Sequence, residues 1–422
     1  MKLRTIHIEN FRAYKEFNCE FDKDAFIDLV IGDNGAGKTS LLAAISQLLS
    51  IQISDFGGGL GLEPEDPHLE TKKVGDSTVS VTEGYPIIIS GDIENEDGTI
   101  SNFRIVREDY YSKKSEGLTS IIKGLTEKND SIWPLISYQR FDREWKIGKN
   151  KGKTIAVDTG LNDRKEGYLE CLKGIGQDEK IQKWCLKMSM MAFERKSTIQ
   201  EFERFKHIIK TFLQVIEDRD DDFEISYSME YSGLAMKSGD TIEPLYELST
   251  GYKAILSMIM ELAYRTVLLN PTAQIESTDQ TGIVIIDEID AHLHPKWQWR
   301  VIDALRKCFP KVQFIIATHS PIVIASAKDA KMIVLEEKGQ FTSLDDAYGY
   351  NVSDVLDLRQ GSAAVPKELA ECMERLERAM DEEDFALADK EVSDAKAKYG
   401  EDSSVYKELK TYLDINRWVE SN

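Results

Sequence analysis

The sequence predicts an α/β fold: a parallel sheet around a phosphate-binding loop, with an antiparallel β layer beside it, a short helical insertion and a C-terminal helical unit. Three observations carry this prediction. First, Ile31-Gly32-Asp33-Asn34-Gly35-Ala36-Gly37-Lys38-Thr39-Ser40 matches G-x-x-x-x-G-K-[ST] at every fixed position. An apolar run from Phe26 to Ile31 precedes it, and Leu41, Leu42, Ala44, Ile45, Leu48 and Leu49 follow at helical spacing. Second, Ile283-Val284-Ile285-Ile286 and Val312–Ala317 read as buried parallel strands. They end in Asp287-Glu288 and in Thr318-His319-Ser320-Pro321. Third, residues 167–217 repeat apolar side chains at helical spacing, with Ile181, Trp184, Cys185 and Met188 in one stripe and Phe202, Phe205, Ile208, Ile209, Phe212 and Leu213 in another.

Length and composition bound the function. A chain of 422 residues has material for two or three structural units. Its 53 Lys and Arg against 74 Asp and Glu leave a net charge of −21. Such a chain is no general nucleic-acid coat, so any DNA contact is local or supplied by a partner. The five cysteines are widely spaced without a C-x-x-C, which argues against a disulfide or zinc framework and for a reducing compartment. The N-terminus alternates like a strand and lacks the apolar core of a signal peptide. No run approaches the ~20 apolar residues that span a bilayer. A cytoplasmic location without membrane contact is expected.

Residues 3–9 alternate as a first strand, ending at Asn10-Phe11-Arg12-Ala13-Tyr14. Gly57-Gly58-Gly59 and Glu63-Pro64-Glu65-Asp66-Pro67 mark a loop. Ile87, Ile88, Ile89 and Ile93 lead to Asp97-Gly98, then Ile100, Phe103, Ile105 and Val106, a hairpin signal that builds the antiparallel layer. Leu135–Gln139 reads as a strand ending in a glutamine. Residues 140–153 follow as a basic island holding Arg140, Arg143, Lys146, Lys149, Lys151 and Lys153, which reads as a solvated loop or a contact to phosphate backbone. The two helical stripes make a short hairpin, and Glu217 to Asp222 form an acidic turn without calcium-loop spacing. Residues 365–416 read as three helices with apolar stripes and charged outer faces. The expected divisions are an N-terminal lobe at 1–160, the helical insertion at 161–220, a C-terminal lobe at 221–345 and a helical partner or oligomer unit at 346–422.

The chemistry is read from the loops at the strand ends. Glycines let backbone N–H groups point at anionic oxygens, and the helix N-terminus adds positive potential. Asn34, Gly35, Ala36, Gly37 and Ser40 would complete this cradle. Lys38 would reach β- and γ-phosphates, and Thr39 would ligate Mg²⁺. Asp287 would hold Mg²⁺ directly or indirectly. Glu288 would orient or deprotonate an attacking water, and His319 would contact the γ-phosphate. Leu248-Ser249-Thr250-Gly251 is a weak L-S-x-G signal alone, strengthened by its position ahead of the Asp-Glu strand.

Phosphate loop, L-S-x-G, apolar strand plus Asp-Glu, then His, in that order, resembles the ABC-type ATPase head shared by RecF, SMC and OLD proteins, over roughly residues 1–345. The resemblance implies ATP and Mg²⁺ as ligands and head-to-head dimerisation. Ser249 and Gly251 of one subunit would close on the γ-phosphate held by Lys38 of the other. It implies that Gln139 senses Mg²⁺ and the γ-phosphate and that Arg12 lies near the nucleotide. His292, His294 and His319 suggest a metal site, but the family uses these positions at the dimer and nucleotide surface.

A narrower resemblance rests on Asp287-Glu288-Ile289-Asp290-Ala291-His292-Leu293-His294-Pro295-Lys296-Trp297-Gln298. This run departs from transporter heads, which carry an aspartate near His294, and is similar to compact bacterial ATPases such as the Septu-type PtuA proteins and their retron-associated relatives. In those systems the ATPase works beside a separately encoded HNH-type nuclease. Val334–Gly339 reads as a strand and turn, and no D-x-D follows His319 as a Toprim nuclease would require. Phosphodiester cleavage is thus expected in trans, with DNA met through the complex. Two alternatives stay open: a RecF-like repair ATPase that binds DNA itself through Arg140, Arg143 and Lys146, and a nucleotide-gated scaffold with little turnover.

Overall fold

A computed structural model describes residues 1–422 except 57–58, 62, 64, 75–77, 110–113, 118–121, 123, 125–130, 141–162, 220–222, 337–338, 346, 351–353, 356–366, 382–383, 402, 404–405, 408 and 415–422. The basic island beyond Arg140 lies outside the described residues. So do Gly57, Gly58, Pro64, the acidic residues 220–222, residues 337–338 and 351–352, and Pro366. The chain divides into two compact units, Met1–Val352 and Ser353–Asn422.

The first unit is built on a six-stranded sheet. Its order is Leu135–Gln139, Thr281–Ile286, Lys311–Ala317, Ile27–Gly32, Ala330–Leu335 and Phe341–Leu344. The first five strands run parallel, and the last pairs antiparallel at the edge. The strands Thr281–Ile286, Lys311–Ala317 and Ile27–Gly32 are mostly apolar because both faces are covered, and Ile27, Leu29, Val30, Ile283 to Ile285 and Phe314 to Ala317 have no more than trace exposure. Parallel pairing brings Gly32, Gln139, Ile286 and Ala317 to one edge of the sheet. Loops leaving that edge form the crevice where α/β sheets receive ligands.

A second sheet is antiparallel, in the order Tyr14–Glu20, Thr5–Phe11, Ile87–Glu94, Ile100–Arg107 and Lys114–Gly117, with Lys2–Leu3 also pairing with Ile87–Glu94. The predicted hairpin is the pairing of Ile87–Glu94 with Ile100–Arg107. The two sheets are joined at Gln313, whose side-chain amide accepts from Leu3 N at 2.8 Å and donates to Leu3 O at 3.3 Å and to Asp28 Oδ2 at 2.9 Å.

The helical insertion differs in detail from its sequence reading. Arg164–Tyr168 is a 3-10 turn, and the two long helices are Asp178–Arg195 and Gln200–Glu217. Their aromatic stripe packs on the helix Thr250–Leu269. Trp184 meets Phe202, Phe205 and Tyr264 edge-on at 5.8, 5.1 and 5.4 Å. Arg265 on that helix is fully buried. It pairs with Glu261 at 2.8 Å and donates to Gly167 O at 2.8 Å and Leu169 O at 3.0 Å, which fixes the 3-10 turn against the helix. A small antiparallel sheet of Phe223–Ser228, Gly233–Ser238 and Thr241–Pro244 follows the insertion.

The second unit has its own core. Helices Lys367–Asp381 and Phe385–Tyr399 and the helical residues 406–407 and 409–414 bury Cys372, Leu376, Ala388, Val392, Leu409 and Leu413 together. Asp384 caps the second helix, its Oδ1 accepting from Leu387 N at 3.0 Å.

All five cysteines are buried and unpaired. Burial pushes the thiols of Cys19, Cys171 and Cys308 up to about 12 and raises those of Cys185 and Cys372 as well. Among the described residues no helix is long and apolar enough to cross a membrane.

Candidate nucleotide site

The strand Ile27–Gly32 feeds a tight turn into the helix Lys38–Leu49. Gly35 and Gly37 hold φ of 87° and 102°, the left-handed conformation that a turn of this kind needs and that side chains resist. Ala36 N donates to Asp33 O at 3.1 Å, and the Tyr14 hydroxyl donates to Gly37 O at 3.0 Å. Lys38 curls back into the loop, its Nζ donating to Gly32 O at 2.8 Å and Asp33 O at 2.9 Å. Burial lowers its pKa, opposed by the charges of Asp287, Glu288, Asp33 and Asp290. Asn34, Gly35 and Thr39 are exposed, and Ala36 and Ser40 are half-buried at the same turn.

The strand Thr281–Ile286 delivers Asp287 and Glu288 beside this loop. Asp287 N donates to Gln139 O at 2.8 Å, which locks the ends of two neighbouring strands together. The Asp287 carboxyl is buried. Burial raises its pKa, while a hydrogen bond from Thr39 and the charges of Arg140 and Lys38 lower it. Its Oδ1 is buried with no hydrogen-bond partner. A buried carboxylate oxygen without a partner, on a carboxyl that faces the Thr39 hydroxyl, is the hard-oxygen donor set that suits Mg²⁺. The Gly-rich turn with Lys38 suits the phosphates of ATP. Gln139 is fully buried, and its Nε2 donates to Ser137 Oγ at 2.5 Å.

Glu288 and His292 both adopt left-handed backbone, at φ 50° and 61°. Side chains pay of order 1–3 kcal/mol for such positions, which cluster at functional sites. His319 follows the strand Lys311–Ala317 and stands half-buried within the field of Lys38. Burial and Lys38 lower its pKa, and Asp290, Asp33 and Asp287 raise it.

Ser249 is the N-cap of the helix Thr250–Leu269, its Oγ accepting from Tyr252 N at 3.3 Å. Gly251 lies under the carbonyl of His292, so close that a Cβ on it would stand 2.3 Å from that oxygen. The L-S-x-G segment is thereby seated on the loop that leaves Glu288 in the same chain. A cavity of about 120 Å³ between them is lined by Arg140, Thr250, Lys253, Asp287, Glu288 and His292, among others.

Lys38, Thr39, Asp287, Glu288 and His319 are thus gathered at one sheet edge, with Gln139 behind them. Ser249 and Gly251 flank Thr250, which lines the cavity. Arg12 precedes Ala13 and Tyr14, which lie against Gly37; its Nε donates to buried Asp66 at 2.7 Å, and Glu65 lies 3.8 Å from its guanidinium. Arg140, which reads from sequence as the start of a basic loop, lines the cavity beside Glu288. Sequence reading passed over Asp290, Gln298, Thr318 and Ser320, which form a hydrogen-bonded network here. A polar residue closing an aliphatic strand next to His319, and a third acidic residue in Asp287-Glu288-Ile289-Asp290, are the signals that were available.

This fold and site define an ABC-type ATPase head of the RecF and SMC kind. The chain belongs to the RecF/RecN/SMC N-terminal domain family, whose profile matches residues 2–342. It is 25% identical over 407 residues to the retron Ec83 probable ATPase of Escherichia coli, covering 81% of this chain and 72% of that protein. It is 29% identical over 271 residues to the retron Vc95 probable ATPase of Vibrio cholerae, covering 60% and 48%. It is 34% identical over 164 residues to the Septu protein PtuA of Bacillus mycoides, covering 37% and 21%. The chain thus spans about half the length of the Vibrio relative and about a fifth of that PtuA. Among solved structures, the SMC head domain from Thermotoga maritima has a TM-score of 0.44 at 13% identity, covering 82% of this chain and 99% of that one.

Proposed function

We propose that the chain binds and hydrolyses ATP as a self-associated pair of heads, and that it regulates a separately encoded HNH-type nuclease in cytoplasmic anti-phage defence. The observation that carries the first part is the convergence of Lys38, Thr39, Asp287 with its orphaned carboxylate oxygen, Glu288 and His319 at the carboxyl ends of the parallel strands. The second part is supported by the relatives, which are named as retron ATPases and Septu proteins.

In this reading Lys38 exchanges the carbonyls of Gly32 and Asp33 for β- and γ-phosphate oxygens, an exchange of acceptors that leaves its buried ammonium paired. Mg²⁺ would be held by Thr39, Asp287 and Gln139 and would supply charge neutralisation at the phosphates. Glu288 accepts a hydrogen bond from the attacking water and orients it for in-line displacement, as the bond to the β–γ bridging oxygen breaks. His319 donates to the γ-phosphate. Ser249 and Gly251 of the partner head complete the site, so that ATP also joins the two heads. The net charge of −21 suits a subunit that leaves DNA to its partner.

The test is ATP turnover by the purified chain and by Glu288→Gln. Wild type is expected to hydrolyse ATP. The variant is expected to lose at least 100-fold in rate and to keep an ATP-dependent dimer in native mass measurements. A wild-type rate no higher than that of Glu288→Gln would overturn the ATPase reading. Affinity purification of the tagged chain from its native host tests the partner: a co-purifying small nuclease is expected, and its absence from every preparation would remove the defence-effector reading.

A further inference from the structure

We propose that Asp290 and Gln298 are positioning residues for His319, acting through the two side chains that flank it. The proposal rests on the ATPase reading above and names the parts that hold its geometry. Thr318 immediately precedes His319 and has no exposed surface. Its hydroxyl donates to Asp290 Oδ1, and it accepts from Ser320 N at 3.0 Å. Ser320 immediately follows His319, and its hydroxyl donates to Gln298 Oε1 at 2.6 Å. The Gln298 amide donates to Leu293 O at 2.9 Å and Asp290 O at 3.4 Å.

Both links therefore land on the segment that leaves Glu288. Ile289 N adds a backbone bond to Ala317 O at 3.3 Å. On its far side Ser320 Oγ accepts from Ile322 N and Val323 N, each at 3.2 Å, which starts the helix Pro321–Ser326. The strand end, His319, the next helix and the Glu288 loop are one hydrogen-bonded body. Swinging His319 away from Glu288 would strand buried donors and acceptors, each at about 1–3 kcal/mol.

This matters for the reaction because the carboxylate that orients water and the imidazole that meets the γ-phosphate must keep a fixed separation. A displacement of about 1 Å can cost on the order of 100-fold in rate. Stability alone would be served by an apolar residue closing the strand at 318, like those before it. The polar pair on both sides of one histidine, each tied to the same loop, is what points to positioning.

The experiment uses the full chain and compares Thr318→Val, which keeps the shape and removes the hydroxyl, with Thr318→Ser, Gln298→Met, Asp290→Asn and His319→Ala. Steady-state ATP turnover, ATPγS affinity and melting temperature are measured for each. Thr318→Val and Gln298→Met are expected to lower kcat at least 10-fold, with KM and ATPγS affinity within threefold of wild type. Thr318→Ser should recover most of the loss. Thr318→Val combined with His319→Ala should be no slower than His319→Ala alone, because both remove the same function. A kcat within twofold of wild type in Thr318→Val, or losses that add to those of His319→Ala, would overturn the proposal while leaving the ATPase reading intact. A wild type that binds ATPγS without turnover overturns both. Should Thr318→Val fail to fold, Gln298→Met carries the same comparison.

Discussion

The Tyr252 hydroxyl donates to the carboxylate of Glu217, and the Tyr252 ring meets Trp297 edge-on at 5.4 Å. Tyr252 sits in the first turn of the helix capped by Ser249. Glu217 ends the second insertion helix, and Trp297 belongs to the His294-Pro295-Lys296-Trp297 segment. One side chain thus ties three sequence-distant parts of the head together. Tyr252→Phe keeps the ring contact and leaves Glu217 paired with Arg219 at 2.8 Å. A loss of about 1 kcal/mol in denaturant unfolding is expected, and a loss two- to threefold larger for Tyr252→Ala. Equal stability of wild type and the phenylalanine variant would show that the hydroxyl contributes nothing.

Gly251→Ala places a methyl 2.3 Å from His292 O. The obstacle is backbone, so the loop leaving Glu288 has to move. The expected cost is about 1–3 kcal/mol of stability, with a loss of ATP turnover that Ser249→Ala does not match through its cap alone. A melting temperature identical to wild type would show that the two segments do not press on each other there.

Arg265→Met takes the cation away from the Glu261 carboxylate, and that pair is almost wholly buried. Breaking such a pair typically costs about 3–5 kcal/mol. Adding Glu261→Leu to Arg265→Met should return much of that loss, because no carboxylate is then buried without its cation. Denaturant midpoints of the single and double variants decide it: a double variant no better than the single one would place the cost in the bonds to Gly167 and Leu169 instead.

Asp28 gives a pH dependence with a definite sign. It lies within the sheet, and burial pushes its carboxyl up to about 7, while the bond from Gln313 opposes the shift. In the unfolded chain it titrates at its ordinary value of 3.8. Folding therefore takes up a proton between those values, so the contribution is fully present below 3.8, is lost as pH rises to about 7, and stays lost above. The span corresponds to roughly 4 kcal/mol at most. Asp28→Asn should match wild type near pH 4 and exceed it at pH 8. Parallel stability curves for the two proteins would sink this reading.

Much of the head was legible because local signals agree there. The glycine-rich turn has fixed spacing, the aliphatic runs at 27–31, 283–286 and 312–317 have no other sensible fate than buried strands, and Asn95 to Thr99 close a hairpin with Asp97-Gly98 at its tip. What escaped was set by tertiary contacts. The sheet of Phe223–Pro244 is built of strands of only four to six residues without a sustained alternation, too short to stand out. Arg164–Tyr168 winds as a 3-10 turn because Arg265, some hundred residues on, captures the carbonyl of Gly167. Thr318 finds Asp290 across 28 residues, a pairing for which no spacing rule exists. Arg140 reads as part of a basic loop until parallel pairing of Gln139 with Ile286 brings it beside Asp287.

The five buried thiols give the folded chain a chemical silence. Each has its pKa raised, so little thiolate forms at neutral pH and none of it faces solvent. A maleimide added to the native chain meets no ready nucleophile, and the slow labelling that does occur counts openings of the core. One cysteine introduced at an exposed position would then report alone, which makes the approach of two heads measurable without removing a native residue.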